Sequence, residues 1–310
     1  MKNFTLSIIV PVYNEEKNID PFLNRILEVI KKYQYEIIFV NDGSTDRTEE
    51  VIKTYCQKNK NIKLISFTRN FGHQMALFAG YKFSKGEAVV SIDADLQDPP
   101  ELIDEMIEKW FKGKKIVYAK RQQRQGESFF KLITARIFYK LINFLSDVPI
   151  PQEVGDFRLL DKEVVDYLNN LQEKPEFLRG LVAWPGFETD YIYFKRDKRF
   201  SGKTHYSLSK MINLALNGIT SFSIKPLRLS TYFGFLVSLL AILIVVFKSV
   251  QHFVFHQGDW LPGWASLFFS IVFLGGVQLI MIGIIGEYLG KIFKEIQNRP
   301  NFLIKEKINL

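Results

Sequence analysis

Short apolar runs alternate with amphipathic segments along the first 120 residues. Runs such as Ala88–Ile92 are apolar or weakly polar throughout, which is typical of parallel strands buried on both faces. Segments such as Glu16–Lys32 repeat apolar residues three and four positions apart, as amphipathic helices do. The predicted order is strand Leu6–Tyr13, helix Glu16–Lys32, strand Tyr35–Val40, helix Asp46–Lys58, strand Ile62–Phe67, helix Gly72–Phe83, strand Ala88–Ile92, helix Pro100–Phe111 and strand Ile116–Ala119. This alternation predicts an α/β fold with a mostly parallel sheet and helices on both faces.

Two later runs, Leu229–Phe247 and Trp264–Gly286, contain no charged residue. Each is about 20 residues long, enough for a helix to cross about 30 Å of hydrocarbon. The alternative is a pair of buried core helices, but a domain of this size seldom needs two uncharged helices of that length. We therefore expect a two-helix transmembrane hairpin over residues 227–288.

The charges that flank these runs predict their orientation in the plasma membrane. Basic residues precede the first run and follow the second, whereas the loop between them has a single lysine, Lys248. By the positive-inside rule both termini are cytoplasmic and the loop is external. Trp260 and Trp264 suit the membrane–water boundary. The flanking basic residues are Lys225, Arg228, Lys291, Lys294, Arg299, Lys305 and Lys307.

Two further segments have a wide apolar surface mixed with basic residues. They are Ser128–Leu145 and Tyr206–Phe222, and the pattern favours helices that lie in the membrane interface. Helices facing the protein core are the alternative for both. The expected organisation is a cytoplasmic α/β domain over 1–205, with an interface helix at about 128–145. This domain is followed by an amphipathic juxtamembrane helix over 206–226, then by the hairpin, and last by a cytoplasmic tail over 289–310.

Composition and charge narrow the kinds of partner. The net charge of +8 suits anionic partners, and the positive residues cluster beside the apolar runs. That placement favours anionic lipid over nucleic acid. The single cysteine, Cys56, excludes an internal disulfide, and we expect it to be a buried helix residue.

An acidic run directly after the apolar run Ala88–Ile92 is the main chemical signal. Asp93 and Asp95 are two residues apart, so in an extended chain their side chains point the same way. The carboxyl edge of an open α/β sheet is where ligands bind. Two neighbouring carboxylates repel unless a cation lies between them, and Mg²⁺ or Mn²⁺ shared with substrate phosphates is the natural one. The run therefore predicts a metal–diphosphate site.

Two strand-to-helix turns are expected at the same edge. The first is Pro11–Glu16 and the second is Val40–Asp46, where Asp46 suits a helix N-cap. Asp42 lies at the strand end, placed to accept hydrogen bonds from a base or ribose. Neither turn is a G-x-G-x-x-G, so a dinucleotide-binding interpretation has no support. His73 has no second His or Cys at ligand spacing, so we expect it at a helix start near the pocket.

The motifs PVYNEE, VNDGSTD, RNFGHQMALFAG and DADLQDPPE, in this order, resemble the family 2 glycosyltransferases with the GT-A nucleotide-sugar fold. GDFRLLD, RFSGKTHYS and the two apolar runs narrow the resemblance to the polyprenyl-phosphate glycosyltransferases. That group contains the bactoprenol glucosyltransferases and dolichol-phosphate mannose synthases. Processive synthases of the same fold carry a QxxRW stretch that this chain lacks, which argues for a single sugar transfer.

The resemblance implies a role for each matching residue. Asp95 and Gln97 are implied to bind the metal, and Asp95 and Asp156 to be catalytic. Donor contacts are implied for Pro11, Tyr13, Asn14, Glu15, Asp42, Asp93, Arg199 and Lys203. Arg121, Arg124, Ser128 and Arg136 are the candidates to hold the acceptor phosphate. A homo-oligomer and inversion at the anomeric carbon are also implied.

The resemblance predicts transfer from a nucleotide sugar, with UDP-glucose or UDP-N-acetylglucosamine first, to undecaprenyl phosphate. The sugar and the choice between uracil and guanine stay open. A lipid phosphate is largely ionised at pH 7, so Asp156 either takes a proton or only positions the substrate. A membrane-anchored nucleotide-sugar-binding partner of a flippase or polymerase, without catalysis, is the alternative function.

Overall fold

The computed structural model describes residues 4–121, 154–171, 173–175, 177–195, 220, 222–253 and 263–310. In this part of the chain the strands are β1 (Thr5–Val12), β2 (Gln34–Asn41), β3 (Ile62–Phe67), β4 (Ala88–Ser91), β5 (Ile116–Arg121), β6 (Val154–Asp161), β7 (Thr189–Phe194) and β8 (Ile304–Ile308). The helices are α1 (Ile19–Ile30), α2 (Thr48–Lys58), α3 (His73–Phe83), α4 (Ile103–Phe111), α5 (Lys162–Asn170), α6 (Leu178–Ala183), α7 (Lys225–Phe253) and α8 (Gly263–Ile296), and a 3₁₀ turn covers Pro100–Leu102.

A mixed sheet organises the described strands, which pair in the order β7-β5-β6-β4-β1-β2-β3-β8. β1 is parallel to β2 and β4, and β2 is parallel to β3. β5 and β7 are also parallel, whereas β6 is antiparallel to β4 and β5, and β8 is antiparallel to β3. The predicted α/β fold with a mostly parallel sheet is confirmed.

Helices cover both faces of the sheet because the strands are apolar on both faces. Ile8 and Val10 of β1 belong to the core that also contains Phe22 of α1. Ile9 faces the other way, against α3, where a Cβ on Gly80 would lie 2.1 Å from the Ile9 side chain. Only glycine permits this close approach of helix to strand. Cys56 is fully buried in α2, as predicted.

The nine elements predicted for the first 120 residues are present, with shifted ends. α1 begins at Ile19 rather than Glu16, because the preceding turn is occupied by contacts to the second turn. The backbone N–H of Glu15, for example, donates to the Thr48 hydroxyl at 2.8 Å. α2 begins at Thr48, whose N–H is accepted by the Asp46 carboxylate at 3.0 Å. The N-cap is Arg47 rather than the predicted Asp46, although the Asp46 carboxylate does accept this helix-start N–H from one residue further out.

The last strand corrects the expectation that residues 289–310 form a separate tail, whereas their cytoplasmic position stays a prediction. α8 continues to Ile296, and β8 then pairs antiparallel with β3. Residues Pro300–Leu310 belong to the same compact unit as the sheet. β8 alternates half-buried and exposed positions over five residues, a pattern too short and too charged to stand out in the sequence. Its position is fixed by pairing with β3.

β6 and β7 were not predicted either. β6 carries Asp156 and Arg158 within an apolar segment, and both are buried. Charged residues in a central strand contradict the apolar pattern of buried strands, so the sequence gives no clear strand signal there.

α7 and α8 form the core of the second compact unit. They contain two segments, Lys225–Ile244 and Ser270–Ile296, that are long and apolar enough to cross a membrane. The predicted runs at 229–247 and 264–286 fall within the two helices. Large apolar side chains on them are exposed, including Phe235. The hydroxyl of Tyr288 donates to the Ser223 carbonyl at 2.6 Å within this unit.

Several predicted features lie outside the described residues. They are the interface helix at about 128–145, most of the juxtamembrane helix at 206–226, and the residues Arg124, Ser128, Arg136, Arg199 and Lys203.

Candidate active site

A cleft opens at the carboxyl edge of β1, β2 and β4. These three strands are adjacent and parallel, so the segments that follow them meet at one place. The cleft holds about 640 Å³ of empty space, a volume that includes space open to solvent. It is lined by Pro11, Val12, Tyr13, Glu15, Asp42, His73, Ala76, Asp93, Ala94 and Asp95.

The turn after β1 contributes two kinds of residue. Pro11, Tyr13 and Glu15 line the cleft, as the sequence predicted, and Tyr13 is 45% exposed there. Asn14 is not among the lining residues. Its side-chain oxygen accepts the Thr45 N–H at 2.8 Å, and its φ of 55° is left-handed. Asn14 therefore braces the first turn against the second, and a donor contact from its side chain stays a prediction.

Asp42 holds the loop that leads into α3. Its carboxylate accepts the backbone N–H of Phe71 at 2.6 Å and that of Gly72 at 3.0 Å. Burial raises the pKa of Asp42, although these hydrogen bonds act in the opposite direction. The next residue, Gly43, has a φ of +69°, and a Cβ there would lie 2.4 Å from the Arg69 backbone. Asp42 thus lines the cleft while fixing the residues that precede His73.

The acidic run forms a turn rather than a continuation of β4. Asp93 and Asp95 both line the cleft, as predicted, but Leu96 adopts a left-handed φ of 62°. Asp95 is 4% exposed, and its carboxylate accepts the Gln97 N–H at 3.1 Å. Burial is the largest cause that raises the pKa of Asp93. The side chain of Gln97 is not among the cleft-lining groups.

The donor set fits a divalent ion that is shared with a substrate. No group of three or more His, Cys, Asp or Glu side chains among the described residues forms a metal cage. Mg²⁺ usually takes one or two protein carboxylates and completes its shell with phosphate oxygens and water. Asp93 and Asp95 both line the cleft and would offer such a pair of hard oxygen ligands to an ion that is shared with a substrate.

Asp156 is the centre of an ion cluster on β6, the strand next to β4. It is 7% exposed, and Arg179 donates to it in a bidentate pair, from Nε to Oδ1 at 3.1 Å and from Nη2 to Oδ2 at 2.9 Å. His73 Nε2 lies 3.2 Å from Oδ2. Burial opposes the ionised carboxylate, but the charge of Arg179 and the hydrogen bonds from His73 and Arg179 hold the pKa of Asp156 well below its usual range.

His73 connects this cluster to the acidic turn. It is the first residue of α3 and lines the cleft, with Nε2 3.8 Å from Asp93 Oδ1. Burial opposes its protonation, but the hydrogen bond with Asp156 and the charges of Asp93 and Asp156 raise the pKa of His73 to about 9. The imidazole is 42% exposed, so solvent weakens these interactions. The hydrogen bond with Asp156 and the two neighbouring carboxylates therefore favour the protonated form of His73.

Arg121, a predicted acceptor-phosphate residue, lies at the end of β5. Its Nη2 is 3.6 Å from the buried Asp98 carboxylate and would be 3.0 Å from a Cβ on Gly155. The structure therefore places Arg121 beside the acidic run and next to the Asp156 strand. It is not among the residues that line the cleft.

Sequence reasoning missed Arg179 and the contact of His73 with Asp156. Arg179 lies on a six-residue helix with no recognisable motif. His73 lay within the RNFGHQ motif and was expected near the pocket, and its position there is confirmed. A histidine directly after Gly72, at the start of a predicted helix, is the available signal for a site residue. Its partner lies 83 residues away, so the sequence could not show the pair.

Comparison with known protein families gives two matches along the chain. Residues 7–168 match glycosyl transferase family 2, and residues 225–292 match the GtrB C-terminal hairpin. The chain therefore belongs to glycosyl transferase family 2, has a fold of the GT-A type, and is a glycosyltransferase.

Relatives extend over nearly the whole chain. The SfII prophage-derived bactoprenol glucosyl transferase of Shigella flexneri is 45% identical over 303 residues, with 97% of each chain covered. The prophage bactoprenol glucosyl transferase homolog of Escherichia coli K12 is 42% identical, with 97% of this chain and 98% of the relative covered. These relatives confirm the resemblance to the polyprenyl-phosphate group.

Among the solved structures to which the chain is similar is glucosyl-3-phosphoglycerate synthase from Mycobacterium tuberculosis in complex with Mn²⁺ and UDP-glucose. Its TM-score is 0.47 at 18% identity, and the alignment covers 70% of this chain and 77% of that chain.

Proposed function

We propose that this chain transfers one sugar from a nucleotide-sugar donor to undecaprenyl phosphate at the cytoplasmic face of the plasma membrane. UDP-glucose is the first donor we expect, and UDP-N-acetylglucosamine is the second. The observation that carries the proposal is the cleft where Asp42, Asp93 and Asp95 meet beside Asp156. Similarity to bactoprenol glucosyl transferases over 97% of both chains supports the acceptor.

The proposed reaction needs little proton transfer. The second pKa of a phosphate monoester is about 6, so the acceptor is already a nucleophile at pH 7. One of its oxygens forms a bond to the anomeric carbon from the side opposite the nucleotide. The bond from that carbon to the diphosphate oxygen breaks, and the nucleotide leaves with the bonding electrons. A single displacement inverts the anomeric carbon.

We assign Asp95 as the main protein ligand of a divalent ion, Mg²⁺ or Mn²⁺, with Asp93 beside it at the donor. When bound, such an ion supplies positive charge to the departing diphosphate. Asp42 keeps the loop before α3 in place, and Tyr13 offers an exposed aromatic ring at the wall of the same cleft. Pro11 and Glu15 complete the donor wall in this proposal.

The acceptor side combines described and undescribed residues. Arg121 lies beside the acidic run, and its charge acts on Asp93. Arg124, Ser128, Arg136, Arg199 and Lys203 remain predictions from the family resemblance. We propose that α7 and α8 anchor the chain in the membrane with both termini cytoplasmic. The enzyme then works on a lipid substrate that stays in the bilayer.

The test is sugar transfer by the full-length chain in lipid nanodiscs that contain undecaprenyl phosphate. A panel of UDP- and GDP-sugars is supplied with Mg²⁺ or Mn²⁺, and both released nucleotide and sugar-lipid are measured. We expect one molecule of sugar-lipid for each molecule of nucleotide released, and loss of turnover when EDTA removes the divalent ion. Asp95→Asn should lower kcat by about 100-fold or more, since electrostatic groups at a leaving diphosphate contribute about that much.

The matched control is Asp166→Asn, which changes an exposed aspartate on α5 and should keep full activity. If no donor in the panel is turned over, the proposed transfer is wrong, and the role of a non-catalytic partner is favoured. Turnover that is insensitive to EDTA and to Asp95→Asn would refute the metal assignment alone.

A further inference from the structure

Three cationic groups surround the Asp156 carboxylate. Arg179 pairs with both of its oxygens, and His73 contacts Oδ2 from the cleft side. Arg158, on the same strand, is fully buried with Nη2 3.7 Å from Oδ1. A carboxylate held by a bidentate guanidinium cannot rotate without breaking two charge-assisted hydrogen bonds.

The arrangement bears on what Asp156 does. A carboxylate whose oxygens are engaged by an arginine and a histidine is a weak proton acceptor, since binding a proton disrupts those contacts. The proposed nucleophile is ionised and offers no proton to take. What Asp156 does provide is a fixed partner for His73, whose ring lies at the wall of the cleft beside Asp93.

We propose that Arg179 is a positioning residue for the transfer: its bidentate pair locks the Asp156 carboxylate so that His73 is held at the donor cleft. The consequence for catalysis rests on the proposed function. The contact between Arg179 and Asp156 does not rest on the proposed function, because it is made within the chain.

The two-point geometry is the specific part of the proposal. A lysine in place of Arg179 keeps the positive charge but makes a single-point contact, and it does not fix the plane of the carboxylate. A glutamine removes the charge as well. The chain also offers a matched pair that does not line the cleft: Arg25 donates to Glu101 in the same bidentate manner, at 2.7 and 2.9 Å, on the surface.

The kinetic test compares Arg179→Gln, Arg179→Lys and Arg25→Gln in the nanodisc assay. Arg179→Gln should lower kcat by about 10- to 100-fold, the cost of a small misplacement of a reacting group, with the donor KM within about threefold. Arg179→Lys should fall between Arg179→Gln and the unchanged chain. Arg25→Gln should keep kcat. If Arg179→Gln keeps kcat within about twofold of Arg25→Gln, the proposal fails.

A second measurement needs no substrate. The four histidines of the chain are labelled with ¹³C, His73→Gln identifies the His73 signal, and the His73 pKa is read by NMR in the full-length protein. The charged groups that act on His73 are Asp93, Asp156 and Arg179; Asp42 also interacts with it, and Arg158 contacts Asp156.

The direction in which the His73 pKa changes in Arg179→Gln separates two explanations of the role of Arg179. If Arg179 acts only through its charge, removing it raises the His73 pKa, because a repelling cation is lost. If Arg179 positions Asp156, Arg179→Gln lowers the His73 pKa, because the oriented hydrogen bond is lost. A rise or no change overturns the proposal. A fall supports it even if the wild-type chain transfers no sugar, in which case the proposed function alone is wrong.

Discussion

Three aspartates line one cleft and a fourth, Asp156, lies beside it, and each has different partners. Asp42 accepts hydrogen bonds from the loop before α3, and Asp95 accepts one from its own turn. Asp156 is engaged by Arg179, and Asp93 lies near His73. Their chemistry differs for that reason: burial raises the pKa of Asp42 and Asp93, whereas cationic neighbours lower that of Asp156. Identical side chains acquire separate tasks from their surroundings.

At this scale we predict that Asp42→Ala destabilises the protein. The N–H groups of Phe71 and Gly72 lose their acceptor, at a cost of about 1–2 kcal/mol. Asp42→Asn keeps an acceptor oxygen and should cost less. Thermal unfolding followed by tryptophan fluorescence measures both, and Asp166→Ala, on an exposed position of α5, is the control. Equal unfolding midpoints for Asp42→Ala and the control would contradict the loop-holding role.

Among the elements, β8 connects the end of the chain to the sheet. It pairs with β3, and the side chain of Asn309 donates to the Cys56 and Ile62 carbonyls at 2.8 and 2.9 Å. Phe302 stacks on Phe67 with ring centres 4.9 Å apart. Residues that follow the apolar helices in sequence thus cover an edge of the sheet that carries the cleft, which would otherwise be open to pairing with other chains.

We predict that Ile308→Ala lowers the stability of the sheet unit. Ile308 is partly buried and packs against the core, so its truncation should cost roughly 1–2 kcal/mol, less than for a fully buried isoleucine. Leu303→Ala removes an apolar side chain that is 53% exposed, from the segment just before the same strand, and should change stability by no more than about 0.5 kcal/mol. The thermal unfolding midpoints of both variants test this prediction. Equal effects would show that β8 does not contribute through packing.

At the scale of the whole molecule, two compact units share one chain. One contains the sheet and its cleft, and the other contains α7 and α8 with their exposed apolar surfaces. Water does not favour so much exposed apolar area, whereas a bilayer does.

The single cysteine, Cys56, is fully buried, and burial raises the pKa of its thiol to about 11. The chain therefore has almost no background reactivity toward thiol reagents.

That property makes the predicted orientation measurable. We expect Asp259→Cys, in the loop between the apolar runs, to react with a membrane-impermeant maleimide added to intact cells. Gln297→Cys, at an exposed position after α8, should react only after the membrane is opened. The unsubstituted chain controls for Cys56. Labelling of Gln297→Cys but not Asp259→Cys in intact cells would reverse the orientation derived from the positive flanks.

The sequence by itself determined the features that depend on local pattern. Apolar runs predicted β1–β5 and the two long helices, and the acidic residues after β4 predicted a cleft that Asp93 and Asp95 do line. Periodicity and charge act over a few residues, so they are readable along the chain. The motifs, read together, were sufficient for the family.

Only the tertiary structure decided which distant groups meet. His73 and Asp156 are 83 residues apart, Asp156 and Arg179 are 23 apart, and Asn309 reaches a carbonyl 253 residues before it. Such contacts depend on strand order and on the register of antiparallel pairs, neither of which leaves a local pattern. β6 shows this most clearly, because the buried charges that define the site are what hide the strand in the sequence.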